Sequence, residues 1–159
     1  MATINDVLKL LDKMNVSGAV DIADNVKDKV KTSEVLTNYA ATLARHTGAY
    51  SEIEQILVKA VELNPENAVA YYDLGCLHTE PELLGKDPDC AFKAVEEYRK
   101  AVALDGSMLR ARFNLALLLA FLGQPEDAWD EYDLLLDLDP EHPEKYDVLE
   151  GIIKSRLVP

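Results

Sequence analysis

Three histidines, two cysteines and 29 acidic side chains are the groups in this chain whose types can do chemistry. His46, His78 and His142 could ligate a metal or move protons, but they stand far apart and share no ligand spacing. Cys76 and Cys90 match no metal or redox spacing and read as thiols in a reducing compartment. Paired carboxylates abound, but they lie along solvated helix faces. Asp127, Asp130, Glu131 and Asp133, extended by Asp137 and Glu141, run along a helical stretch and suit a solvated face better than a general acid and its base. No phosphate-cradling Gly-rich loop, no G-x-S-x-G and no C-x-x-C is present. Neither a catalytic residue nor a bound metal or cofactor is expected. The chain reads as a non-enzymatic protein whose business is a surface.

Charge narrows that surface. Against 29 acids stand 16 bases, for a net charge of −13 over 159 residues. Binding a phosphate backbone needs clustered Lys and Arg, so nucleic acid is excluded as a partner class. A basic or mixed apolar protein segment is the better match. The first residues, MATINDVLKLLDK, carry Asp6 and Asp12 within their apolar stretch and lack a cleavage pattern. The longest apolar run, Leu115 to Leu122, is too short to span a bilayer, and the terminal KSRLVP is no tail anchor. A cytoplasmic protein without membrane insertion is expected.

The elements that must position such a surface are clearest at 109–142. An apolar helical run ends at Leu122-Gly123, Gln124-Pro125 turns the chain, and a second amphipathic run ends at Leu138-Asp139-Pro140. Gly permits the helix stop, and Pro125 suits the first turn of a new helix. Pro140 forces Asp139 out of the helical region. The same plan recurs at 34–67, where Gly48 falls in the place of Gly123 and Asn64-Pro65 in that of Asp139-Pro140. It recurs at 68–108, lengthened by about seven residues that fall at 79–89. Pro81, Gly85 and Pro88 mark that insertion as a loop. Residues 1–33 fit in phase less cleanly, with helices expected near 4–14 and 19–30. Residues 143–159 begin another first helix, with Tyr146, Leu149, Ile153 and Leu157 at helical spacing, and then stop. They suit a cap over the last exposed face. One continuous all-α domain of about nine helices is expected.

This 34-residue helix–turn–helix pattern resembles the tetratricopeptide repeat family. Gly75 and Ala116 match its small first-helix site, as does Ala41, and Ala94 and Ala128 its small second-helix site. Tyr98 and Tyr132 match its second-helix aromatic, and Ala60 and Ala101 the small position one turn later. Small side chains there let paired helices approach closely. Ile53 and Leu135 depart from the small-residue pattern, and Thr37, Tyr71 and Arg112 stand where the family has a first-helix Trp.

The resemblance implies a right-handed superhelix whose first helices line a concave face. The family's groove-facing positions project here onto Asn38, Thr42, Tyr72, Cys76, Arg110, Phe113, Asn114, Leu117 and Phe121. It implies a protein-interaction module, an adaptor, scaffold or chaperone-like holder, that takes a partner peptide in this groove. A subgroup grips the acidic tails of heat-shock chaperones with Lys, Asn and Arg; here Asp73 stands where the grip wants Asn, and such a tail is not the expected partner. The competing class is a structural assembly component that acts through its ends or its convex face. The insertion at 79–89 has two readings as well: a lengthened hairpin, or a specificity element beside Tyr72 and Cys76.

Overall fold

The computed structural model describes residues 1–157, and among these every regular element is helical. Among the described residues, ten α-helices and one 3-10 turn fall into two compact units, residues 1–77 and residues 78 onward.

The first unit holds α1 (Ile4–Asp12), α2 (Val16–Ala23), α3 (Lys29–His46), α4 (Tyr50–Leu63) and all but the last residue of α5 (Ala68–His78). Local capping sets its helix boundaries. Thr3 and Asp6 form a reciprocal capping box at the start of α1. Asn15 accepts from the Gly18 backbone N–H at 3.0 Å and starts α2 early. A Cβ on Gly18 would lie 2.8 Å from the Asn15 side-chain nitrogen, so a larger residue there would force the capping side chain to shift. Asp28 accepts from Lys31 N–H and starts α3 at Lys29. The helices expected near 4–14 and 19–30 are therefore corrected to 4–12 and 16–23, and the next helix begins ahead of residue 34. Apolar patterning does not reveal which short polar side chain wins a cap. Val7 and Leu11 of α1, Ala19 and Ala23 of α2, and Leu36, Ile56 and Leu57 from α3 and α4 fill the core. Across this unit α1 packs on α2, α2 on α4 and α3 on α4.

The second unit holds α6 (Pro81–Lys86), α7 (Cys90–Leu104), α8 (Leu109–Phe121), α9 (Pro125–Leu138), a 3-10 turn (Pro143–Tyr146) and α10 (Asp147–Leu157). The α8–α9 hairpin is its centre. Gly123 adopts φ +77°, while Gln124 N–H donates to Leu119 O at 2.9 Å and Gly123 N–H to Ala120 O at 3.3 Å. That pairing closes a Schellman stop and satisfies the last carbonyls of α8. Pro125 then opens α9 at its first turn. Ala111, Ala116 and Ala120 on α8, with Ala128 on α9, are fully buried, so the two backbones approach closely. Arg112, in the place of the family's Trp, reaches Glu131 at 2.8 Å and ties α8 to α9 through a mostly buried ion pair. Leu149 and Ile153 bury the inner face of α10 against α8 and α9.

The insertion is corrected too: it is not a loop throughout but contains the short helix α6, which brings the helix number to ten. Pro81 sits at its first position, and Lys86 reaches Glu82 at 2.6 Å one turn back.

Candidate functional site

The projected groove residues fall into several distinct settings. In the second unit, Asn114, Leu117 and Phe121 recur along one face of α8 and line a hollow of about 260 Å³. Its other lining residues are Thr79, Leu84, Tyr98 and Leu118. The floor is polar and bonded: Asn114 Nδ2 donates to the Tyr98 hydroxyl at 3.3 Å, and Thr79 Oγ1 lies 3.4 Å from the same oxygen. Tyr98 is buried, so its ring packs α7 against α8 while its hydroxyl reaches the hollow. The walls are aliphatic and aromatic, with Phe121 57% exposed at one end. The Arg156 guanidinium carbon lies 5.4 Å from the Phe121 ring centroid, within cation–π range.

Phe113 is set differently. It is half-buried with its ring centroid 6.4 Å from that of Tyr146, so its contact is with the capping segment. Arg110 is exposed one turn ahead of Asn114 and makes no ion pair among the described residues.

In the first unit, Asn38 is exposed and lines a smaller hollow of about 160 Å³ with Glu34, Thr37, Asn67 and Val69. Polar side chains dominate there, and their hydrogen bonds serve the fold. Asn67 Nδ2 donates to Ser33 Oγ at 2.8 Å and to Thr37 Oγ1 at 3.0 Å, while its Oδ1 accepts from Ala70 N–H at 3.0 Å. Ser33 Oγ in turn donates to Ala60 O at 2.7 Å. This joint ties the end of α4 and the start of α5 to α3. Thr42 is exposed and donates back to Asn38 O at 3.0 Å. On α5, Tyr72 and Cys76 are half-buried. Between them Asp73 is mostly withdrawn from water, and that desolvation pushes its carboxyl up to about 6.

Groups with chemical potential elsewhere are held structurally. His78 is buried with Nδ1 2.7 Å from Glu97. His142 Nδ1 lies 2.9 Å from Asp139, which also accepts from Lys145 and Tyr146. The His142 bond first, then those from Lys145 and Tyr146, hold the Asp139 carboxyl below the ordinary range. Among the described residues no three His, Cys, Asp or Glu side chains are grouped to hold a metal ion, and no helix is long and apolar enough to cross a membrane.

Thr79, Leu84, Tyr98 and Leu118 were absent from the sequence-derived set. Tyr98 is legible only as a structural aromatic, since repeat spacing does not show where its hydroxyl points. Leu84 belongs to the segment at 79–89, expected from repeat length to be an insertion, for which the repeat pattern projects no groove position.

Residues 109–142 match the family model of the tetratricopeptide repeat. A comparison with curated proteins gives no match. Among solved structures, the chain resembles an O-GlcNAc transferase of Thermobaculum terrenum, at 24% identity and a TM-score of 0.62, over 80% of this chain. It spans only 23% of that transferase chain. It also resembles MamA, at 21% identity and a TM-score of 0.61, over 94% of this chain and 86% of MamA. A second MamA structure gives a TM-score of 0.57 at the same identity. At these identities the likeness is one of fold.

Proposed function

We infer that this chain, which carries a tetratricopeptide repeat, is a non-enzymatic interaction module that binds a segment of a partner protein on the α8 face of its second unit. The observation that carries this reading is the hollow lined by Leu117, Leu118 and Phe121 over the Tyr98–Asn114 floor. An apolar wall beside a few oriented polar groups is the usual make-up of a binding site. Phe121 is a large side chain left exposed at its edge, where covering it gains free energy that the free protein does not realise. Binding is an equilibrium process, with a side-chain anchor in the hollow and amide contacts along the segment. A partner of mixed apolar and charged character fits.

Selection from a random displayed-peptide library, followed by titration of the selected peptides, tests this. Phe121→Ala and Leu117→Asp are expected to weaken binding more than ~10-fold without shifting the melting transition. Phe113→Ala is expected to act on stability instead, because Phe113 packs on Tyr146. Full affinity in both hollow variants would remove the reading.

Assembly through the convex face has one observation in its favour: Leu134 and Leu138 are exposed one turn apart on α9. Asp130, Asp133 and Asp137 beside them are exposed and form no ion pair among the described residues, so a second copy would be repelled. Light scattering across a concentration range separates the two, because a groove binder stays monomeric at every concentration.

A further inference from the structure

The inserted helix α6 makes little contribution to the fold. None of its residues is buried, its first turn has no side-chain cap, and its one ion pair, Glu82–Lys86, is exposed. A helix of this length is marginal by itself, and ordering its backbone costs about 1–2 kcal/mol per residue. What α6 does provide is Leu84, which faces Leu117, Leu118 and Phe121 across the hollow. Without it the α8 face would be open on that side.

The hollow's size decides what kind of ligand it can take. Its 260 Å³ lies below the roughly 300–1,000 Å³ of pockets that enclose small molecules, and it is open to solvent. It suits one large side chain projecting from a longer segment. Apolar walls favour a side chain without a polar end. On the α8 side of the hollow the charges are cationic: Arg156 lies over Phe121, and Arg110 stands one turn from Asn114 on the same helix. On the α6 side stand Glu80 and Glu82, the latter paired with Lys86. Neither arginine makes an ion pair among the described residues, although the chain carries 29 acids.

We propose that α6 is a specificity wall, whose Leu84 closes the hollow around one bulky aliphatic or aromatic side chain of a partner segment that carries an acidic residue beside that anchor. This rests on the α8 face being the partner site, and it adds which side chain is chosen and which element chooses it. The wall is built by an element that the other repeats lack, so anchor preference can change here without disturbing the small-residue packing of the hairpins.

The test uses the full chain and short Gly-Ser peptides bearing Glu-X, with X as Ala, Leu, Phe or Trp, and a matching Lys-X set. Affinities are read from methyl chemical shifts at millimolar peptide. Wild-type protein is expected to prefer Leu and Phe over Ala by at least ~10-fold, and Glu-flanked over Lys-flanked anchors. Leu84→Ala should weaken Leu and Phe anchors ~5-fold and move the preference toward Trp. Leu84→Trp should fill the hollow and abolish anchor-dependent binding. Both variants should melt with the wild type, since Leu84 lies outside the core. An unchanged anchor ranking in both Leu84 variants, or tighter binding of the Lys-flanked set, overturns the proposal. If Leu117→Asp still abolishes binding in that case, the α8 face stands as the partner site and only the role of α6 falls.

Discussion

Each unit carries a hollow beside an asparagine, and the two asparagines are used differently. Asn67 spends its amide inside the first unit, on Ser33, Thr37 and the Ala70 N–H. Asn114 bonds the Tyr98 hydroxyl at the floor of a hollow with apolar walls. The first arrangement is a joint that holds three helices in register. The second lies over a hairpin already held by small-residue packing and by the Arg112–Glu131 pair. A unit stabilised by close backbone packing can leave large side chains at its surface. The first unit has small-residue packing of its own, with Ala40 and Ala60 buried on α3 and α4, and in addition commits its polar side chains to this joint.

The largest expected effect tests the packing half of that contrast. Ala128 is 0% exposed where α9 meets α8. Ala128→Trp should cost about 3 kcal/mol or more through overpacking and unfold the last hairpin, as followed by circular dichroism during denaturation. An unchanged transition would mean that close approach is not what holds α8 to α9. Asn67→Ala tests the polar half. It leaves the Ala70 N–H without its cap and removes the donor to Ser33 and Thr37, at a cost of about 2 kcal/mol in denaturant titrations. Asn114→Ala should cost less stability than Asn67→Ala, because its bond to Tyr98 lies at the open floor of the hollow, while peptide affinity falls further than stability. Equal stability losses at Asn67 and Asn114 would erase the distinction between joint and site.

A pair of aspartates sharpens the comparison through pH. Asp73 in the first unit has its carboxyl raised to about 6 by burial, so its favourable contribution is full below the ordinary Asp value and is lost as pH rises through about 6. Asp73→Asn should therefore stabilise the protein at pH ~7, by about 1–2 kcal/mol once partial water access is allowed for, and be neutral near pH ~4. Asp139 in the second unit behaves oppositely. Its carboxyl is held low by His142, Lys145 and Tyr146, so its contribution is present above the ordinary range and lost as pH falls. Asp139→Asn should weaken the protein at neutral pH and converge with the wild type in acid. Stability curves that run parallel for either variant would contradict the assignment.

Much of the architecture is readable from residue types. Gly123 and Pro125 announce the α8–α9 turn, and Ala116, Ala128 and Tyr132 are small or aromatic where a helix pair must close. Residue types do not fix the bounds of the first helices, because Asn15 and Asp28 set them by capping and several nearby polar residues could do the same. On the candidate site, spacing puts Asn114, Leu117 and Phe121 on one face. It cannot show that Phe113 turns to Tyr146, because that depends on how the capping segment folds back. Nor can it reveal Leu84, which reaches the hollow only because Pro81 opens a short helix where the spacing of Pro and Gly suggests a loop.

The most direct test of the central claim is to map a library-selected peptide onto the protein by NMR, observing methyl groups and side-chain amides together. The largest shifts are expected at the Leu84, Leu117 and Leu118 methyls and at the Asn114 amide, with the Asn67 amide unmoved. Shifts concentrated at Asn67 and Val69, or at Leu134 and Leu138 on the outer face of α9, would contradict it.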